Sequence, residues 1–97
     1  MALTSKQRQH LKGLAHGLNP AVWIGQSGLT DAVIEKINAE LEAHELIKVK
    51  FADGPQNREE HAAVAERVRA EVVQVIGRIT AMYRRRASDP GIVLPKG

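Results

Sequence analysis

Apolar residues recur at helical spacing in the first twenty residues. Across residues 11–18, three leucines and an alanine lie at i, i+3, i+4 and i+7, which places them on one face of a helix. Thr4 is followed three residues later by Gln7, a pattern typical of a capping box at a helix start. Pro20 would end the helix. The pattern therefore predicts a first helix within residues 3–20.

The middle of the chain alternates between short apolar runs and helical patterns. Residues 21–24 predict a strand, and residues 29–45 predict a second helix. In residues 46–52 apolar side chains alternate with lysines, which is typical of a half-buried strand. Lys48 and Lys50 would then project from the outer face of this strand.

The last part of the chain predicts a third helix and a hairpin. Beyond a polar loop at residues 53–57, apolar positions at helical spacing indicate a helix, which Asn57 is placed to cap. Residues 72–76 and 80–86 are the last two predicted strands. We expect a tight turn between them, with a positive φ at Gly77.

The predicted element order is α-β-α-β-α-β-β. Alternating elements followed by a hairpin are typical of a two-layer α/β domain, with helices on one face of a mixed four-stranded sheet. The uncovered face would carry Lys48 and Lys50, joined by Arg84 from the last strand. We assign residues 1–86 to this single domain and residues 87–97, which hold two prolines and two glycines, to an extended and loosely held tail.

Positive charge is concentrated at the two ends of the sequence. The net charge is +3, but residues 1–30 hold three bases and no acid, and residues 31–71 hold ten acids against six bases. Residues 72–97 hold five bases against one acid. If the fold brings the two ends together, their cations form one basic face that attracts polyanions such as nucleic acid. The alternative is that the middle helices are simply acidic and solvated.

Several classes of function find no support in the composition. The absence of cysteine excludes disulfides and zinc–thiolate sites and favours a reducing, cytoplasmic compartment. The four histidines lack the HxxxH and HExxH spacings of metal sites, and His44, on the apolar side near the end of the second helix, is predicted to be a structural histidine rather than a ligand. Ser27 lies in "GQSGLT", which differs from the GxSxG elbow of hydrolases. Neither a signal peptide nor an apolar run of about 20 residues is visible. We therefore expect a protein that is not an enzyme, has no metal or cofactor, and does not enter a membrane.

Two glycines three residues apart separate the first strand from the second helix. One explanation for Gly25 and Gly28 is a tight turn before a helix that Thr30 caps. The other is close approach of a ligand, because glycine lacks a Cβ, as in the GxxG loop that clamps the nucleic-acid backbone in KH domains. That loop joins two helices, so this chain is not a KH domain. Trp23, just ahead of the loop, either stacks on a base or packs in the core.

The segments "QRQHLKGLAH", "GQSGLT" and "HELIKVK", followed by "VQVIG" and "YRR", resemble the bacterial YhbY family. This family is the stand-alone form of the CRM domain (chloroplast RNA splicing and ribosome maturation). The resemblance covers residues 3–86 and implies a fold related to the C-terminal domain of translation initiation factor three. It also implies RNA binding and association with precursors of the large ribosomal subunit. Gly25 and Gly28 match the family's glycines, whereas Gln26 and Ser27 stand where many relatives carry lysine or asparagine.

The expected function is therefore RNA binding in ribosome assembly. The alternative is a protein-interaction module whose basic patch docks on ribosomal proteins or other acidic partners. Because the chain has only three aromatic residues besides histidine, recognition should depend mainly on RNA shape and backbone. The predicted RNA contacts are the loop residues and cations from both halves of the chain: Gly25, Gln26, Ser27, Gly28, Arg8, Lys12, Lys48, Lys50, Arg84 and Arg85.

Overall fold

A computed structural model of the protein describes residues 3–52 and 58–96. Its elements are α1 (Ser5–Ala15), β1 (Pro20–Ile24), α2 (Asp31–His44), β2 (Leu46–Phe51), α3 (Arg58–Arg67), β3 (Glu71–Ile76) and β4 (Ile79–Tyr83). This order is the predicted one, and the α/β class is confirmed. The predicted loop at residues 53–57 and its capping residue Asn57 lie outside the described residues.

The N-terminal caps of α1 and α2 are those that the sequence predicts. The Thr4 hydroxyl accepts a hydrogen bond from the Gln7 N–H, and the Gln7 side-chain oxygen accepts one from the Thr4 N–H, both at 3.1 Å. At α2 the Thr30 hydroxyl accepts from the Val33 N–H at 3.2 Å. Each bond satisfies a backbone donor that the first turn of a helix leaves free, so these two helix starts are set locally.

The four strands form one mixed sheet in the order β1-β2-β4-β3. β1 runs parallel to β2, and the β2–β4 and β4–β3 pairs are antiparallel. Register partners project from the same face. The pairs Trp23 with Lys50, Lys50 with Ile79 and Ile79 with Ile76 therefore place four side chains in a line across all four strands. We call these four residues the transverse row.

Apolar side chains fill both faces of the sheet. On one face, Val49 belongs to a buried cluster that includes Leu41 of α2 and residues of α3. On the other face, Leu11 of α1 packs in a second cluster with Ala81 and Tyr83. The expectation that all helices lie on one face is therefore wrong, because α1 covers part of the opposite face, here called the α1 face. Helical periodicity shows which side of α1 is buried, but not which sheet face receives it.

The C-terminal tail is tied to the domain by a buried carboxylate. Glu45 is 1% exposed and accepts hydrogen bonds from the N–H groups of Arg86 at 3.0 Å, Gly91 at 2.6 Å and Ile92 at 2.9 Å. Ile92 also packs against the cluster on the α1 face. The expectation of a loosely held tail is thus wrong for residues 91–95, which hydrogen bonds and packing tie to the domain. The division of the chain after residue 86 stays a prediction.

His61, and not His44, is the buried structural histidine. Its Nδ1 forms a hydrogen bond with the Thr80 hydroxyl, and its ring meets the Phe51 ring edge-on with 5.0 Å between centroids. His44 is the last residue of α2, and its side chain is 62% exposed and 3.5 Å from Glu40. The prediction for His44 is therefore wrong, and the structural position belongs to α3.

We expect Glu45→Gln to destabilise the fold by on the order of 2 kcal/mol, because the amide has one acceptor atom and turns its own N–H groups toward part-buried backbone donors. Burial raises the pKa of Glu45, but hydrogen bonds from Arg86, Ile92 and Gly91 and the Arg86 charge lower it on balance. Glu45 therefore contributes stability above its ordinary pKa of 4.5, and this stability is lost as the pH falls through the folded pKa. Denaturant titrations between pH 7 and pH 3 should show the difference between wild type and variant shrinking below about pH 4.5.

Glu35→Gln provides the matched control, since Glu35 is an exposed residue of α2. It should change stability by less than about 0.5 kcal/mol at pH 7. Equal losses in the two variants would show that the three N–H bonds to Glu45 have no special weight.

Candidate nucleic-acid interface

The GQSG loop, residues 25–28, forms a β-turn between β1 and α2. The carbonyl of its first glycine accepts the N–H of its last glycine at 3.0 Å, and Gln26 and Ser27 are exposed at the tip. Just upstream, the Ile24 carbonyl accepts the Ala52 N–H at 2.8 Å, beyond the end of β2. The loop is thus anchored on its β1 side and closed by its own turn, while its tip faces solvent.

The two glycines of this loop have different reasons to be glycine. Gly28 has φ of +70°, a left-handed conformation that strains residues with a Cβ. Gly25 is not among the described residues with positive φ, and a Cβ at this position would have no atom within 4 Å. Turn geometry therefore accounts for Gly28. Neither strain nor crowding accounts for Gly25, so the close-approach hypothesis rests on that residue.

The transverse row crosses the α1 face beside the loop. Its two ends, Trp23 and Ile76, are 56% and 64% exposed. The Lys50 ammonium lies 4.7 Å from the centroid of the Trp23 ring, in a cation–π contact. Because α1 and the tail cover the other end of this face, the row stays open to solvent. Trp23 therefore does not pack in the core, and that alternative is excluded.

The lysines of β2 project as the sequence predicts. Lys48 and Lys50 alternate with the buried Ile47 and Val49, so both ammonium groups lie on the α1 face. They are not equally free, however. The Lys48 Nζ donates to the Leu18 carbonyl at 3.0 Å and so ties β2 to the connection after α1.

The cations of α1 border a different part of the surface. Arg8 and Lys12 line an open groove of about 980 Å³ together with Arg69 and the free edge of β3. Glu66 and Glu71 line the same groove, so its charge is mixed. β3 lies two strand positions from β2, a separation of about 10 Å, so these cations flank the open part of the sheet and do not extend the lysine pair.

The C-terminal arginines do not join the lysines. The Arg84 guanidinium donates to the Asn38 side chain and to the Val68 carbonyl, both at 2.8 Å, and so links α2 to the residue that follows α3. Its predicted place beside the β2 lysines is therefore wrong, because alternation along β4 turns residue 84 to the opposite face. Arg86 donates to two carbonyls near the end of α2 at 3.2 Å. Arg85 is exposed, but it follows the end of β4 that lies farthest from the GQSG loop.

The fold does bring the two ends of the chain together. The Gln7 amide donates to the Pro95 carbonyl at 3.0 Å, across 88 positions of sequence. Even so, the expected single basic face is not built, because Arg84 and Arg86 point at α2 and its neighbours. Of the predicted cations, Lys48 and Lys50 lie on the α1 face, and Arg8 and Lys12 border it.

Sequence reasoning missed Ile76 and Ile79 as part of this surface. Strict alternation would place Val72, Gln74 and Ile76 on one face of β3. A register shift between Val72 and Gln74 instead pairs Val72 with a residue of the α2–α3 side and leaves Ile76 on the α1 face. The usable signal was the position of Ile76 directly before the hairpin turn, where covering side chains are few.

Two absences hold for the part of the chain that the structure describes. No three histidine or carboxylate side chains within residues 3–52 and 58–96 are grouped so that they could hold a metal ion. None of the described helices is long and apolar enough to span a bilayer.

Known proteins match this chain in sequence and fold over nearly its whole length. A Haemophilus influenzae protein named "RNA-binding protein" is 43% identical over 96 residues, covering 97% of this chain and 96% of the relative. The Bacillus subtilis "Probable RNA-binding protein YqeI" is 37% identical over 98 residues, covering 96% and 99%. The solution structure of a Staphylococcus aureus protein matches with a TM-score of 0.76 at 37% identity, covering 97% of this chain and 100% of that one. Residues 3–84 match the CRS1/YhbY (CRM) domain family, and the chain belongs to that family.

Proposed function

We propose that this protein binds RNA through the GQSG loop and the adjoining lysines of β2, without catalysing a reaction. The observation that carries the proposal is Gly25, an open backbone position where neither strain nor internal packing requires glycine. Gly25 lies two residues after Trp23, whose ring is in contact with the Lys50 ammonium. Relatives that match nearly the whole chain bear the name of RNA-binding proteins, which supports the same reading.

The loop contributes close approach rather than charge. A missing Cβ at Gly25 lets a sugar-phosphate backbone come near the main chain. The Gln26 amide and the Ser27 hydroxyl add neutral donors at the tip. The N-terminus of α2 follows, whose helix dipole favours an anion. Asp31 is exposed in the first turn of α2 and disfavours phosphate there, so we place the phosphates on the β1 side of the loop.

The lysines and the α1 cations supply the electrostatic attraction. Lys50 is nearest the loop and Lys48 is one pleat away, while Arg8 and Lys12 lie across the sheet along the β3 edge. Contacts of this kind hold phosphates and carry no base sequence. Arg84 is left out of the proposed surface because its donors are engaged inside the domain. Arg85 stays a candidate at its margin.

The biological role we propose is assembly of the large ribosomal subunit in the cytoplasm. The resemblance to stand-alone CRM proteins supports this role, and membership of the CRS1/YhbY (CRM) domain family is consistent with it. Ribosomal RNA precursors present both phosphate backbone and single-stranded segments, and the GQSG loop and the lysine surface suit such a ligand. The partner would therefore be precursor ribosomal RNA within a large-subunit particle.

A protein-interaction module is the competing proposal, and one observation favours it. The free edge of β3 lies in a groove lined by Arg8, Lys12 and Arg69 and also by carboxylates, which suits a polypeptide strand of mixed charge. Ribonuclease treatment of a lysate separates the two proposals. Associations that survive complete RNA digestion support protein docking, and associations that disappear support RNA binding.

Lys50→Glu is expected to lower RNA affinity at least tenfold and to leave the fold intact, because the ammonium lies at the surface over Trp23. Each phosphate contact contributes a slope of about −0.7 to a log–log plot of affinity against salt. With about four contacts, wild-type affinity should fall more than tenfold between 50 and 200 mM salt. Fluorescence anisotropy with a labelled single-stranded RNA measures both quantities, and the variant should show a shallower slope.

Lys36→Glu is the matched control, since it makes the same charge change at an exposed position of α2. It should affect affinity much less than the β2 variant does. Equal losses of RNA affinity in the two variants would contradict a localised lysine contact. So would a wild-type affinity that does not change with salt concentration.

Gly25→Asp should reduce RNA affinity at least tenfold and shift the melting temperature by only a few degrees. The reason is that a side chain at this position meets open space and needs no unusual φ, but its bulk and negative charge face the proposed phosphate path. Gly28→Ala should instead cost stability by about 1 kcal/mol, because of the φ of +70°. Thermal melts and anisotropy separate these effects. A folded Gly25→Asp protein that binds RNA normally would remove the loop from the interface.

In a sucrose gradient of gently lysed cells at low salt, the protein should sediment with precursors of the large subunit. Mature translating ribosomes should carry little of it, since the role we propose ends with assembly. Immunodetection across the gradient makes the measurement. Recovery of the protein only at the top of the gradient would count against the assembly role, while leaving RNA binding to be judged by the titrations above.

A further inference from the structure

Trp23 is exposed in a way that packing does not explain. It is the chain's single tryptophan, and it projects from the α1 face with 56% of its surface exposed. Large aromatic side chains dominate cores and binding surfaces because of the apolar area that they bury. Within the described residues, neither α1 nor the tail covers this ring. Its apolar surface is therefore available to a ligand.

The neighbours of Trp23 continue this surface across the sheet. Ile79 is half-buried, and Ile76 at the far end of the row is 64% exposed. The row is thus apolar at both ends and carries the Lys50 ammonium near one of them. An apolar strip with one cation suits a ligand that has a flat apolar part joined to an anion.

Lys50 also constrains the ring. Its ammonium lies over the indole at 4.7 Å, so one side of the ring is occupied by a positive charge. The cation–π contact holds the ring against β2 and leaves its remaining exposed surface free. Gly25 follows two residues later, about 7 Å along the strand, within reach of the phosphate next to a base on Trp23.

We propose that the transverse row is a stacking subsite for one unstacked nucleobase of single-stranded RNA. The base lies on the exposed surface of the Trp23 ring, and the adjoining phosphate lies between Lys50 and the open backbone at Gly25. The inference rests on the proposed RNA-binding function and narrows its ligand. A continuous duplex keeps its bases stacked on each other, whereas loops, bulges and single strands offer a free base face. Since the row has one aromatic ring, it binds one base. Stacking on that ring does not distinguish one base from another, because every base has a flat π-face.

The single tryptophan makes the subsite directly observable, because all indole emission comes from Trp23. The wild-type protein is titrated with a 12-nucleotide oligouridine, with an abasic ribose-phosphate chain of equal length, and with a blunt RNA duplex. Fluorescence anisotropy of a label on each ligand reports binding, and tryptophan emission reports stacking. Oligouridine should bind and quench the emission, while the abasic chain should bind more weakly and leave the emission nearly unchanged. The duplex should also bind without quenching.

Substitution of the ring tests the same contact by affinity. Trp23→Ala should weaken oligouridine binding by roughly tenfold, within the range of about 5- to 150-fold expected for loss of one base–aromatic stack. It should change the affinity for the abasic chain little, since that ligand has no base to lose. Trp23→Phe should restore most of the oligouridine affinity. Leu14→Ala is the matched control, because Leu14 is 45% exposed on α1 and lies outside the row.

Each outcome decides between the subsite and its alternatives. Oligouridine binding without quenching, together with unchanged affinity in Trp23→Ala, would overturn the subsite and leave the proposed RNA-binding function standing. Absence of binding to all three ligands would overturn both. A third outcome is that tryptophan emission changes with protein concentration alone and that Trp23→Ala abolishes a dimer. This outcome would assign the row to contact with a second copy of the chain and overturn the subsite. Melting curves establish that the variants are folded, and if Trp23→Ala does not fold, quenching and Trp23→Phe decide.

Discussion

Burial on both faces of the central sheet is the constraint on which the rest of the structure depends. β2 has a strand on each side, and its side chains pack in two separate clusters. Val49 packs toward α2 and α3, and Leu46 packs toward α1. α1 has 11 residues and is therefore only about 16 Å long. A helix of this length covers the part of its face around Leu46, and the transverse row remains open. The transverse row is thus exposed because α1 is too short to cover the whole α1 face.

Formal charge is a poor guide to which cations are free. Arg84 and Arg86 add to the net charge, but both direct their guanidinium groups at atoms of the domain itself. The Glu45 carboxylate likewise has partners inside the domain, because it accepts hydrogen bonds from the tail. Of the predicted RNA-binding cations, those of β2 and α1 border the open part of the sheet, and Arg85 is exposed at its margin. Lys50 lies beside the exposed Trp23 ring and the GQSG loop, so we expect it to contribute more to RNA binding than an isolated surface charge would.

The GQSG loop shows how one short segment serves both folding and the proposed function. Gly28 supplies the left-handed residue that lets the chain turn from β1 into α2. Gly25 closes the turn only through its carbonyl, which any residue could supply, and it lies on the side of the loop nearest Trp23. This division explains why a pair of glycines alone is weak evidence for ligand binding. The conformation of each glycine has to be known before either can be assigned a role.

The sequence by itself determined what depends on local interactions. The Thr4 and Thr30 caps, the alternation of Lys48 with its apolar neighbours, and the turn at Gly77 with φ of +58° all involve residues close in the chain. The element order and the family motifs followed from the same short patterns. Of the candidate site, the loop and the β2 lysines were found this way, because their residue types and spacing are visible in one dimension.

Only the tertiary structure decided which elements meet. Helical spacing identifies the buried side of α1 but cannot say which face of the sheet it covers, because both faces offer apolar side chains. The internal partners of Arg84 and the exposure of Trp23 depend on that choice and on the strand order. The register shift in β3, which brings Ile76 to the same face as Trp23, is a matter of pairing between strands. Periodicity describes one element at a time, and a surface made from four strands arises only when they are assembled.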